Sequence, residues 1–86
     1  MELQSGNVIE LRNGHIGLVC PFNDTNKPFV IVFKNYTNLV SKYSDFKQKN
    51  RTYDIVKVYD GSKVENIKAL YYKDGAKELP LLWSED

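Results

Sequence analysis

The stretch ELRNGHIGLV, residues 10–19, contains the strongest turn signal in the chain, the dipeptide Asn13-Gly14. A two-residue type I′ turn needs positive φ at both central positions, which asparagine and glycine tolerate best. Apolar and polar residues alternate before the dipeptide, and apolar residues recur at every second position after it, as in β-strands. The sequence therefore predicts a β-hairpin with strands at about 7–12 and 15–20.

The second strand of this hairpin carries three residues with special geometry or chemistry. Gly17 is unfavourable in a flat strand and predicts a bulge or a sharp bend. Cys20, the single cysteine, is predicted to be a buried structural residue, since free cysteine is among the most buried residue types. His15 lies five positions earlier. At about 3.3 Å per residue, an extended strand separates the two side chains by roughly 16 Å on opposite faces, so a Cys–His catalytic pair is not expected.

Three further segments have the composition of strands. FVIVFKN (29–35) is apolar on both alternating faces, which predicts a central strand covered on both sides. YDIVKVYD (53–60) is rich in the β-branched and aromatic residues that favour strands. ELPLLW (78–83) is predicted to be a last short strand, and Pro80 confines it to a sheet edge or a strand start. Residues 36–52 are predicted to form a strand and a long polar loop, with a helical stripe as the alternative.

Residues 63–73 have the hydrophobic period of a helix. Ser62 and Glu65 form an S-x-x-E capping box, and Gly75 suits the position after the last helical residue. The apolar stripe at helical spacing consists of Val64, Ile67, Leu70 and Tyr71. The sequence therefore predicts one helix at about 63–73 that packs this stripe inward and leaves Tyr72 outward.

Together these elements predict a chain that is mainly β with one short helix. Short, strongly bent strands joined by loops are typical of a small SH3-like, partly open β-barrel, with an OB-like barrel or an α+β fold as the alternatives. A barrel also protects the edge strands that a flat sheet would expose. At 86 residues the chain is predicted to be a single small β-barrel domain, residues 1–86, with a C-terminal edge strand.

Composition excludes several classes of protein. A net charge of +1 does not indicate nucleic acid or an acidic membrane as a partner of the whole chain, and a single cysteine excludes an internal disulfide. The N-terminus lacks the basic and apolar regions of a signal peptide, and the apolar runs are far shorter than the roughly 20 residues of a membrane span. We therefore expect a cytoplasmic monomer or small homo-oligomer with no membrane association.

No catalytic, metal or cofactor motif stands out. One cysteine and one histidine cannot supply the usual zinc ligands, and neither a P-loop nor a dinucleotide-binding fingerprint is present. Asp54 and Asp60 flank one predicted strand, but general acid–base pairs need closer approach, so we interpret both as solubilising residues at strand ends. The sequence predicts a protein that is not an enzyme and has no cofactor.

The segment between Thr25 and Tyr53 is basic and rich in aromatic residues. It contains six lysine or arginine residues and one acidic residue, a local net charge of +5. Phosphates favour such cations through counterion release, and interleaved aromatic rings such as Tyr36 and Tyr53 stack on unpaired bases. The alternative is a solvated lysine-rich loop with its aromatic rings in the core. The candidate nucleic-acid-binding residues are Lys42, Tyr43, Lys47, Lys49 and Arg51.

Two other surfaces are candidate contacts. The outward Tyr72, its neighbour Lys73 and Trp83 of the last strand are candidate protein-binding residues, since tyrosine and tryptophan are enriched at interaction hot spots. Trp83 alternatively caps the open end of the barrel. The hairpin tip is the other candidate surface, with His15 expected to be a solvated neighbour of the turn. The tip residues are Arg12, Asn13, Gly14 and His15.

The opening SGNVIELRNGHIGLV (5–19) resembles the first hairpin of KOW-type SH3-like barrels, in which a glycine, a hydrophobic strand, a glycine turn and Gly-x-Val recur. The residues at matching positions are Gly6, Ile9, Leu11, Gly14, Gly17 and Val19. KOW loops are usually longer and carry basic residues beside the second glycine, whereas this turn is a bare Asn-Gly flanked by Arg12 and His15. This resemblance supports the barrel more than it supports RNA binding.

A wider resemblance covers most of the chain. VIELRNGHIGLV (8–19), YDIVKVYD (53–60) and LPLLW (79–83) look like segments that recur in this order in small uncharacterised proteins of phages, prophages and mobile elements of low-GC Gram-positive bacteria. That family has no assigned activity, and the resemblance implies a mobile-element origin and a bacterial host cell. Such an origin favours a protein that binds host machinery or phage nucleoprotein.

These observations lead to three functional hypotheses. The first is a non-enzymatic phage- or mobile-element-type protein that binds an unidentified protein partner as a regulator or inhibitor of a host system. The second is a nucleic-acid-binding SH3-like barrel that uses the basic 42–53 segment. The third is a structural phage component. The salt response separates the first two, because affinity through phosphate contacts falls steeply with salt.

Overall fold

The computed structural model of the chain describes residues 3–21, 29–40, 51–62 and 75–85. In these residues the chain is mainly β, as predicted, and the first hairpin lies within one residue of its predicted bounds. The strands are β1 (Asn7–Leu11), β2 (Ile16–Pro21), β3 (Phe29–Phe33), β4 (Thr37–Val40), β5 (Ile55–Asp60) and β6 (Leu81–Ser84). Short 3₁₀ turns precede the last two strands, at Arg51–Tyr53 and Gly75–Glu78.

The strands pair antiparallel in one open sheet, in the order β4-β3-β2-β1-β5-β6. Strands β1 to β4 follow each other as a meander, and β5 then returns to pair with the free side of β1. This arrangement is consistent with the small, partly open β-barrel that the sequence predicts. β3 lies between two strands, as predicted, and β6 occupies an edge directly after Pro80, as predicted.

Apolar side chains cover both faces of the sheet. On one face lies the larger cluster, with the buried residues Ile9, Leu11, Val19, Ile31, Phe33, Ile55 and Val58. Alternate residues of a strand point to opposite faces, so Val8 and Tyr59 lie on the other face. There they pack with Ala76 of the 3₁₀ turn Gly75–Glu78. β1 and β5 therefore form the centre of the fold, because both contribute to both clusters.

The turn of the first hairpin differs from the predicted one. Glu10 pairs with Ile16, and the Leu11 N–H donates to the His15 carbonyl at 2.9 Å. Three residues, and not two, therefore form the loop. The Gly14 N–H closes the turn on the Leu11 carbonyl at 2.9 Å, and Gly14 takes the left-handed conformation with φ 91°. This is the three-residue hairpin in which a final glycine forms a bulge, so the type I′ prediction is wrong.

Gly17 is required by packing and not by a bulge. The pairing of β2 with β1 and with β3 runs through Gly17 without a shift in register, so the predicted bulge is wrong. A β-carbon at this position would lie 2.5 Å from Cγ2 of Ile31 and 2.8 Å from Cε1 of Phe33. Glycine therefore lets two core side chains of β3 lie directly against the backbone of β2.

Two further side chains bear on the sequence predictions. Cys20 is half-buried, and not buried as predicted, with its Sγ 3.9 Å from the Leu18 carbonyl oxygen. Trp83 is half-buried and packs against the larger cluster, and its interpretation as a cap on the open end of the barrel stays a prediction. The predicted helix at 63–73 lies outside the described residues. Within the described part of the chain, no helix is long and apolar enough to cross a membrane.

Candidate binding site at the hairpin tips

Three turns meet at one end of the sheet. Because neighbouring strands are antiparallel, the β1–β2 and β3–β4 turns lie at the same end, and the chain enters β5 there. Backbone hydrogen bonds join the first hairpin tip to the segment before β5. The Arg12 N–H donates to the Asp54 carbonyl at 2.8 Å. The Asn13 N–H donates to the Thr52 carbonyl at 3.0 Å, so the tip is fixed at two successive residues.

A pocket lies between the β1–β2 and β3–β4 tips. The Phe33 N–H donates to the Tyr36 carbonyl at 2.8 Å, so Lys34 and Asn35 alone form the β3–β4 loop. Both loop residues are exposed. The cavity volume is about 180 Å³, and the lining residues are His15, Ile16, Phe33, Lys34, Asn35 and Tyr36. The pocket therefore combines an aromatic wall with a cation and an amide.

The aromatic rings of this pocket are held in defined positions. Tyr36 stacks on Phe33, with 4.6 Å between the ring centroids and 17° between the planes. A hydrogen bond of 2.8 Å joins the Tyr36 hydroxyl to Nδ1 of His15, and these two rings are tilted by 59°. Tyr36 nevertheless keeps 41% of its surface exposed, and His15 is exposed. The pocket thus presents an ordered and accessible aromatic surface.

A further aromatic residue, Tyr53, stands close to this pocket. Burial raises the pKa of Tyr36 above 10.0, and the nearby phenolate of Tyr53 raises it further. Tyr53 is itself 48% exposed, next to Arg51 in the same 3₁₀ turn. We refer to four residues as the aromatic cluster: His15, Phe33, Tyr36 and Tyr53.

The raised pKa of Tyr36 has a consequence for stability in alkali. Above pH 10.0 the unfolded chain releases the Tyr36 proton while the folded chain keeps it, so the free energy of unfolding should fall as the pH rises further. Urea denaturation at a series of alkaline pH values measures this loss. Tyr36→Phe, which has no proton to release, should lose less stability over the same pH interval. An equally steep loss in both proteins would contradict the assignment.

Four charged side chains form an ionic cluster at the same end: Arg12, Arg51, Asp54 and Glu85. The Asp54 side chain is 2% exposed, and its Oδ2 accepts from Nε of Arg51 at 2.5 Å and from Nη2 of Arg12 at 3.2 Å. Arg12 Nη2 also donates to Oε1 of Glu85 at 2.6 Å, which ties the end of β6 to the hairpin tip. The hydrogen bonds from Arg12 to Glu85 and to Asp54 raise the pKa of Arg12. Pairing with arginine makes the burial of this carboxylate tolerable.

The structure brings together part of the site that the sequence suggested. The hairpin tip Arg12, Asn13, Gly14 and His15 lies beside Arg51 of the basic segment. Tyr36 and Tyr53 of that segment are exposed, and not turned into the core. Trp83 belongs to the sheet edge and packs on the core. The candidates that lie outside the described residues are Lys42, Tyr43, Lys47, Lys49, Tyr72 and Lys73.

Sequence reasoning missed the role of Asp54. Its interpretation as a solubilising strand-end residue is wrong, because the side chain is buried and binds two arginines. Arg51, three positions earlier, was a local signal for one of these pairs. Arg12 is distant in sequence, so no local pattern relates it to Asp54. Asp60 is half-buried, and its Oδ1 accepts from the Ser62 N–H at 2.9 Å.

Comparisons of the chain with models of known protein families, with curated proteins and with solved structures found no match. Among the described residues, no three His, Cys, Asp or Glu side chains come together as metal ligands. The function of this end of the barrel is therefore inferred from its own geometry.

Proposed function

We propose that this chain is a non-enzymatic binding protein that holds single-stranded nucleic acid at the aromatic cluster. The observation that carries the proposal is the Tyr36 ring, which is stacked on Phe33, 41% exposed and beside Lys34. Exposed aromatic rings interleaved with cations bind unpaired bases through stacking and their phosphates through charge. Bases within a duplex are already stacked and paired, so the ligand is a single strand.

The charges at this end support an anionic ligand. Asp54 is buried, and both it and Glu85 are bound by arginine, so neither presents an uncompensated negative charge to a phosphate. Lys34 and Arg51 are exposed beside the aromatic cluster. In the sequence, three further lysines of the basic segment precede Arg51 closely. Clustered cations of this kind release counterions from a phosphate backbone and so favour its binding.

The wider resemblance to phage and mobile-element proteins bears on where in the cell this activity would take place. Such a protein would act in the cytoplasm of a bacterial host cell, where single-stranded phage or host transcripts and replication intermediates are exposed. Arg51 and Tyr53, which the proposal uses, belong to the basic 42–53 segment of the nucleic-acid hypothesis from the sequence.

Fluorescence anisotropy with a labelled single-stranded oligonucleotide tests this function. At low salt we expect micromolar binding that weakens as the salt concentration rises, because phosphate contacts release counterions. Tyr36→Ala is expected to weaken binding about 10-fold, since stacking on an aromatic ring contributes about 1–3 kcal/mol per base. A wild-type protein that binds neither single-stranded DNA nor single-stranded RNA at low salt would overturn the proposal.

Leu82→Ala is the matched control for Tyr36→Ala. Leu82 is also about half exposed, but it belongs to β6, on the other side of the strand order from β3 and β4. We expect it to bind the oligonucleotide as the wild type does. Equal losses in the two variants would mean that a general loss of surface or stability, and not stacking on Tyr36, weakens binding. Thermal denaturation of both variants checks that they are folded.

A protein partner is the second candidate function, and the edge strand β6 favours it. Leu81 and Leu82 are 53% and 48% exposed, and among the described strands β6 is the outermost on its side of the sheet. An extended segment of a partner can pair with such an edge. A regulator or inhibitor of a host system, or a structural phage component, would bind its partner through this strand. Leu82→Gln should weaken that contact and, since it adds no charge, leave oligonucleotide binding unchanged.

A further inference from the structure

We propose that the pocket lined by His15 and Tyr36 is a subsite for one unpaired nucleobase, with the adjoining phosphates outside the pocket near Lys34. This inference rests on the proposed function and deepens it: it assigns one base of the strand to a defined cavity. The other bases and phosphates then lie along the surface that leads to Tyr53 and Arg51.

The size of the cavity favours one flat group. Its volume of about 180 Å³ is below the roughly 300–1,000 Å³ of pockets that enclose a whole small-molecule ligand. A ligand that inserts one ring system into the pocket, while the rest of the molecule stays in solvent, fits a cavity of this volume. A strand of nucleic acid has this form, with planar bases attached at intervals to a soluble backbone.

The wall of the pocket is held in place by contacts within the protein. Phe33 covers one face of the Tyr36 ring, so the exposed area of Tyr36 lies on its other face and its edge. The hydrogen bond to His15 fixes the hydroxyl end of the same ring. Because both contacts are already made, little side-chain entropy is lost when a base stacks here.

The rim of the pocket matches the polar parts of a nucleotide. The Asn35 side chain carries both a hydrogen-bond donor and an acceptor, so it can pair with the edge of a base. The Lys34 ammonium attracts a phosphate and repels a lysine or arginine side chain. An aromatic side chain of a protein partner is the competing occupant, since it matches the aromatic wall but not the cation.

Three oligonucleotides of equal length test the subsite: one with a base at every position, one abasic throughout, and one abasic except for a single central base. We expect the single base to tighten binding to the wild type about 10-fold over the abasic strand, as stacking does. The salt dependence of the two strands should be equal, because they carry the same phosphates. Tyr36→Ala should abolish this difference because the ring is removed, whereas Tyr36→Phe should keep part of it, since the ring remains but loses its hydrogen bond to His15.

Nuclear magnetic resonance gives a second readout that does not depend on a variant. The one-base strand should shift the His15 ring and Asn35 amide signals more than the abasic strand does, and leave the Trp83 indole signal in place. If the full strand binds but the one-base and abasic strands bind equally, the subsite is refuted and the proposed function stands. If no strand binds at low salt, both are refuted. If an aromatic peptide shifts the His15 signals and no oligonucleotide shifts them, the pocket is assigned to a protein ligand.

Discussion

Replacing Gly17 with alanine is expected to lower the free energy of unfolding by about 3 kcal/mol, as overpacking of a well-packed core does. The added β-carbon would lie 2.5 Å from Cγ2 of Ile31 and 2.8 Å from Cε1 of Phe33. Both side chains are buried in the larger cluster, so neither can move aside without displacing its neighbours. For a domain of this size the midpoint of thermal unfolding should fall by about 12–24 °C.

Gly14→Ala is the matched control for this substitution. A β-carbon on Gly14 meets nothing within 4 Å, but its φ of 91° is unfavourable for alanine, so the expected loss is strain of about 1 kcal/mol. Combining Gly17→Ala with Ile31→Ala should cost less than the sum of the two single losses, because the second change removes one clashing atom. Equal losses at Gly14 and Gly17 would contradict the packing explanation.

Asp54→Ala is expected to cost about 2–3 kcal/mol, because it removes the buried acceptor of two charge-assisted hydrogen bonds. The arginines that lose this partner are themselves partly exposed and can be hydrated, which limits the loss. The first hairpin tip should also loosen. Amide hydrogen exchange of Arg12 and Asn13, whose N–H groups bond to the segment before β5, should become faster.

Asp60→Ala is the control for Asp54→Ala, since the two carboxylates flank the same strand. Asp60 is only half-buried, and we expect its loss to change the free energy of unfolding by less than about 1 kcal/mol. Urea denaturation measures both variants. Similar stabilities for the two would mean that the ionic cluster does not hold this end of the barrel together.

The strands of this protein could be predicted because their signals are local. Alternation of apolar residues around Asn13-Gly14 places β1 and β2, and Pro80 places β6 at an edge. The length of the first hairpin loop could not be predicted. It depends on which carbonyl accepts the hydrogen bond from the Leu11 N–H, and the local sequence pattern does not determine that. The packing role of Gly17 could not be predicted for a related reason: the side chains that require a glycine belong to β3.

The candidate site was predictable in composition but not in assembly. The basic segment pointed to the tyrosines Tyr36 and Tyr53 and to Arg51, and the hairpin tip pointed to His15. The pocket exists because antiparallel pairing brings the second hairpin tip beside the first, where Tyr36 reaches His15. The partnership of Arg12 with Asp54 likewise depends on the pairing of β1 with β5.

The return of β5 to β1 also determines when the candidate binding site is completed during folding. In the meander from β1 to β4, each strand pairs with the next strand along the chain. Leu11 of β1, in contrast, pairs with Ile55 of β5, which lies much further along the chain. Contacts between distant segments carry a larger loop-closure entropy and slow the formation of β structure. Arg51 and Tyr53 therefore reach the hairpin tips only when β5 docks. A strand of nucleic acid that contacts both the hairpin tips and the turn before β5 would bind only the form in which β5 is paired with β1. Its binding would therefore slow the separation of β5 from β1.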